Sequence, residues 1–136
     1  MRFPRPLLCA LSVLWIAAAV TGCSHPGHRN SSRADIHQVG LVWLKQAGDA
    51  DARQKVIDAV HDFDRLIPEV KSAVVGQTDG LAGPYSDTSY DVCFVLTFAD
   101  EAAVQRYSKH PVHQKAATEA FLPLSKKLLF YRFVGQ

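Results

Sequence analysis

The sequence predicts an α+β fold, a four-stranded antiparallel sheet carrying two helical segments on one face. Three observations predict it. Four short apolar runs have strand character, at Ile36 to Lys45, Val70 to Thr78, Tyr90 to Phe98 and Lys126 to Val134. Two stretches of three- and four-residue apolar spacing separate the first run from the second and the third from the fourth. Between the second and third runs lies only a turn-rich segment containing Asp79-Gly80 and Gly83-Pro84. The order is therefore strand, helix, strand, strand, helix, strand.

Each element has its own signal. In the first strand His37, Val39, Leu41 and Trp43 alternate with Ile36, Gln38, Gly40, Val42 and Leu44, so both faces are largely apolar. The expectation is that His37, Val39 and Leu41 face the helices, with Val42, Leu44 and Val95 on the other side. Asp49-Ala50-Asp51 offers capping carboxylates to a helix whose apolar stripe is Ala52, Val56, Ala59, Val60, Phe63, Leu66 and Ile67, and Pro68 stops it. Asp91 to Phe98 reads as a central strand buried on both sides. Asp100-Glu101 starts a second helix through Ala103, Val104 and Tyr107, interrupted at His110-Pro111 and resumed from Val112 to Leu122. A βαββαβ order with antiparallel pairing is the ferredoxin-like, or split βαβ, arrangement. Its helices shield only one sheet face, so an apolar second face calls for a cover, and a second copy of the sheet in a symmetric dimer supplies one.

The start of the chain reads differently. Arg2 and Arg5 precede an uncharged, mostly apolar run from Leu7 to Val20, followed by Val20-Thr21-Gly22-Cys23. That run is short for a bilayer span and suits a secretion signal over residues 1–22. A small residue before Cys23 resembles the lipobox of bacterial lipoproteins, which implies acyl chains on Cys23 and a membrane anchor. Ser24, where an aspartate would favour inner-membrane retention, points to the outer membrane facing the periplasm. Residues 23–34, with His25 and His28, read as a solvated tether, and residues 35–136 as one domain.

Bulk composition narrows the function classes. Without Arg2 and Arg5, 13 basic residues face 13 acidic ones, and no basic stripe is interleaved with aromatics, so nucleic acid is not the expected partner. With Cys9 in the signal and Cys23 acylated, only Cys93 remains, so the domain has no internal disulfide and Cys93 reads as a packing residue. No glycine-rich phosphate loop or nucleophile elbow is present, and no cofactor is expected.

The motif that carries chemistry is Tyr107-x-x-His110-Pro111-x-His113. Together with His37-x-Val39 and the Tyr90-Asp91 strand ending in Thr97-Phe98, it resembles the stress-responsive dimeric α/β-barrel (Dabb) family over roughly Ile36 to Val134. The resemblance implies a ferredoxin-like dimer whose two sheets face each other as a barrel. One plant member, olivetolic acid cyclase, closes a polyketide ring in a pocket between helices and sheet. The resemblance places its catalytic tyrosine and histidine at Tyr107 and His113, and its pocket histidines at His37 and His110. Its remaining tyrosine and histidine fall at Val60 and Val92, so the full cyclase set is not reproduced.

Two readings of these residues follow. In one, His113 is a base, Tyr107 a hydrogen-bond donor and His37 and His110 orienting groups, in a pocket walled by Val39, Leu41, Val60 and Val92. The ligand would be small and apolar or carbonyl-bearing. In the other, the histidines cap helices and Tyr107 fills the core. A zinc set of His37, His110 and His113 lacks dedicated ligand spacing, and no metal is expected.

Overall fold

The computed structural model describes residues 34–136. The expected signal sequence, the expected lipidation site at Cys23 and nearly all of the expected tether lie outside the described residues. The elements are β1 (Ile36–Leu44), α1 (Ala50–Leu66), β2 (Val70–Gln77), β3 (Val92–Phe98), α2 (Glu101–Lys109), α3 (Pro111–Ala116) and β4 (Ser125–Val134). Between α3 and β4 the chain continues as a π-helical turn, Ala117–Phe121, and a last helical turn, Leu122–Leu124. The strands pair antiparallel in the order β2-β3-β1-β4, which is the ferredoxin-like topology the sequence predicts.

Local chemistry sets the boundaries. The Asp49 carboxylate accepts from the Asp51 and Ala52 amides at 3.0 Å, and that of Asp100 accepts from the Ala103 amide at 2.8 Å. Each satisfies orphan donors of a first helical turn, an effect worth about 1 kcal/mol. Asp91, buried just before β3, accepts from the Leu44 and Gly48 amides at 2.8 Å and so ties the β1–α1 turn to the sheet. Gly48 sits in that turn at φ 79°, a conformation that favours glycine.

The helix side of the sheet carries Val42 and Leu44 from β1, and Val92, Phe94, Leu96 and Phe98 from β3. They pack against Val56, Val60 and Phe63 of α1 and against Ala103, Val104 and Tyr107 of α2. This corrects the expected phase of β1. Ile36, Gln38, Gly40, Val42 and Leu44 face the helices, and His37, Val39 and Leu41 face away. Alternation alone could not decide, because both sets are apolar enough to be buried. Gly40 decides it: a Cβ there would lie 2.3 Å from Cζ of Phe94, so the Phe94 ring can cross β1 only where no side chain stands. Val95 does face away, opposite Val39 and Val74. The open face is completed by Leu129, Tyr131 and Phe133 of β4 and by Cys93 and Thr97 of β3. Val74, Tyr131 and Phe133 are more than half exposed, a large apolar surface to leave uncovered.

Candidate functional site

Tyr107 lies on the buried stripe of α2, three and four residues after Val104 and Ala103. His110 then ends the helix: its backbone is extended, and its Nδ1 accepts from the Val112 amide at 3.3 Å as the cap of α3. Pro111 at the first position of α3 has no amide hydrogen to leave unsatisfied there. This break turns the chain so that His113 lies back over Tyr107, their ring centroids 4.4 Å apart. Phe63 of α1 completes the cluster, 5.5 Å from Tyr107 and 5.7 Å from His113.

The break also fixes the imidazole tautomer. His113 Nδ1 lies 3.1 Å from the Ser108 carbonyl oxygen, which only accepts, so Nδ1 carries the proton. In the neutral ring the Nε2 lone pair is then free, the form that accepts a hydrogen bond or a proton. Partial burial lowers the His113 pKa below its ordinary value, opposed by the bond to Ser108, so the ring stays neutral at neutral pH. Burial raises the Tyr107 pKa well above the usual phenol range, so the hydroxyl stays a donor. That hydroxyl has no hydrogen-bond partner among the described residues.

Beside this pair is a cavity of about 250 Å³ between sheet and helices. Its walls are mostly aromatic, with Phe63, Phe94, Phe121 and Phe130 around Tyr107 and His113, and Leu128 and Gln38 from the sheet. Among the described residues no Asp, Glu, Lys or Arg lines it. An engineered apolar cavity of about 150 Å³ holds a benzene molecule, so this one has room for a ring with several substituent atoms. A wider groove of about 380 Å³ between α1 and α3, edged by Lys55, Asp58, Asp62, Lys115 and Glu119, contains neither Tyr107 nor His113.

The structure brings together Tyr107 and His113 and separates the other candidates. His37 is on the open face, its Nδ1 3.1 Å from Thr97 Oγ1 and its ring stacked 4.8 Å from Phe133. Val39 and Leu41 share that face. His110 caps α3 and does not line the cavity, and Val60 and Val92 are fully buried in the core behind it. The expected pocket wall is thus replaced by Gln38, Phe63, Phe94, Phe121, Leu128 and Phe130. Among the described residues no three His, Cys, Asp or Glu side chains gather to hold a metal ion.

Comparison with known proteins bears on the fold and the family. A search of curated proteins gives no match. Among solved structures, a Dabb family protein from Mesorhizobium loti superposes with a TM-score of 0.63 at 23% identity, covering 76% of this chain and 99% of that one. A dimeric ferredoxin-like protein of unknown function from Thermobifida fusca gives 0.62 at 25% identity, covering 75% and 92%. Hydroxynitrile lyase from Passiflora edulis gives 0.64 at 18% identity, covering 76% and 95%. The model of the stress responsive A/B barrel domain matches residues 36–134. With that match spanning most of the chain and the ferredoxin-like strand order in agreement, the chain belongs to the stress responsive A/B barrel (Dabb) family.

Proposed function

We propose that this Dabb domain binds a small, mostly apolar ligand in the cavity beside Tyr107 and His113, as a stress-related accessory protein held on the bacterial envelope. The observation that carries the reading is an aromatic cavity without charge whose polar groups include an unpartnered phenol and a neutral imidazole. A ligand whose polar atoms meet this phenol and imidazole inside apolar walls gains hydrogen bonds shielded from water. A panel of small aromatic carbonyl compounds titrated against the protein tests this. Ala117 also lines the cavity, so binding is expected in the parent and lost in Ala117→Phe, whose ring would occupy the space; saturable binding that Ala117→Phe leaves intact would overturn it.

The domain works as a homodimer in this reading, with the open sheet face covered by a second copy. The exposed apolar surface of Val74, Tyr131 and Phe133 supports this, as does the dimeric state of the Thermobifida protein. The anchor is lipid on Cys23, placing the domain in the periplasm, attached to the outer membrane. Its support is Gly22-Cys23 after the apolar run. Replacing Cys23 with alanine should release the processed protein from membranes, and retention there would refute the anchor.

A second reading, a cofactor-free lyase or cyclase, is favoured by the His113 tautomer and by the likeness to a hydroxynitrile lyase. His113 Nε2 would take the hydroxyl proton of a small hydroxynitrile as its carbon–cyanide bond breaks, leaving a carbonyl compound and cyanide. Cyanide release that His113→Gln abolishes, with folding and dimer intact, would establish it. Equal release by parent and variant would exclude it.

A further inference from the structure

We propose that Gln38 is the specificity-determining residue of the cavity, selecting an uncharged ligand that presents a carbonyl beside an N–H or O–H. This deepens the ligand-binding reading above and rests on it. Among the described residues Gln38 is the only amide side chain on the cavity wall, and it comes from β1, across from the helical pair. On its own strand its face is otherwise Ile36, Gly40, Val42 and Leu44, all without side-chain polar atoms. Its cross-strand neighbours are Leu96, fully buried, and Arg132, which is engaged with Glu101. A polar side chain is placed where packing alone would place an aliphatic one.

The Gln38 amide makes no hydrogen bond to any described residue. Gln38 lines the cavity and is only partly buried, so its amide is not sealed away in the core. An amide offers two N–H donors and one carbonyl acceptor at fixed separation, which matches a ligand carbonyl adjoining an N–H or O–H. Tyr107 contributes a further donor and His113 Nε2 a further acceptor. With no lysine or arginine among the described residues of the wall, a ligand carboxylate would lose its hydration without a counter-charge, so the neutral form is selected. Aromatic walls of about single-ring dimensions restrict the rest of the molecule to a small planar or branched apolar body.

The test uses benzamide and cumene, two probes of equal heavy-atom count and similar shape that differ in whether they carry the amide. Both are titrated by NMR against the full chain and against Gln38→Leu and Gln38→Glu. In Gln38→Leu, benzamide affinity should fall about tenfold, the effect of one or two lost hydrogen bonds, while cumene affinity holds or rises. In Gln38→Glu, the cation benzamidinium should bind more tightly than benzamide, reversing the order in the parent. A parallel loss of both probes in Gln38→Leu would mean that Gln38 only supports the fold, and unchanged benzamide affinity would mean that it does not touch the ligand. Either result overturns the assignment while leaving the cavity a binding site. Failure of the parent to bind either probe would overturn the ligand-binding reading, and the role of Gln38 with it.

Discussion

Replacing Gly40 with alanine probes the contact that sets the phase of β1 and shapes the cavity. An added Cβ would stand 2.3 Å from Cζ of Phe94 and 2.5 and 2.7 Å from its two Cε atoms. Carbon atoms in contact settle at about 3.5–4.0 Å, so the ring must retreat by more than about 1 Å. It is 2% exposed and is held edge-on by Phe121 at 5.8 Å and by Phe130 at 6.2 Å. The space open to it is the cavity. Overpacking of this kind costs about 1–3 kcal/mol. For a domain of this size, that lowers the melting temperature by roughly 5–20 °C. Thermal and urea unfolding of the parent, Gly40→Ala, Phe94→Leu and the double variant measure it. Leucine lacks the ring atoms that clash, so the double variant should be more stable than the sum of the singles by about 1 kcal/mol or more. A Gly40→Ala protein melting with the parent, or strictly additive singles, would refute the packing argument. Ligand affinity should fall in Gly40→Ala as the ring enters the cavity.

Two further expectations concern charge and assembly. His113 titrates below its ordinary value near 6.5 in the folded protein because burial disfavours the imidazolium. The unfolded chain therefore takes up this proton first, so the His113 contribution is complete above about pH 6.5 and is lost as pH falls through the depressed folded value. Stability measured from pH 8 to 5 should decline less steeply in His113→Phe, and identical slopes would contradict the assigned environment. Val95 stands at the centre of the open sheet face, opposite Val39 and Val74. Val95→Asp should halve the mass seen by sedimentation while the domain stays folded, and an unchanged mass would exclude this face as the dimer contact.

How much was legible in the sequence depended on whether the deciding interaction was local. Caps at Asp49 and Asp100, the stop at Pro68 and the break at His110-Pro111 involve groups within a few residues of each other, and the structure places all of them as read. The Tyr107–His113 contact follows from that break. The phase of β1 was not legible, because Val39 and Leu41 are as apolar as Val42 and Leu44. Only the distant pairing of Gly40 with Phe94 separates the faces; without that phase the sequence does not set Gln38 apart from other strand residues, and it directs His37 to the pocket. The π-helical turn at Ala117–Phe121 was likewise hidden inside what reads as one helix. It brings Phe121 against both Phe63, at 6.0 Å, and Phe94. Such a turn has no strong local signature, and it shapes one end of the cavity.

Site-resolved NMR of the full chain during a benzamide titration tests the central claim most directly. The account requires the largest, saturable shifts at Gln38, Phe63, Phe94, Tyr107, His113 and Phe121, with His37, Val95 and Tyr131 on the opposite sheet face unaffected. Shifts centred on that opposite face, with the Tyr107–His113 cluster silent, would contradict it.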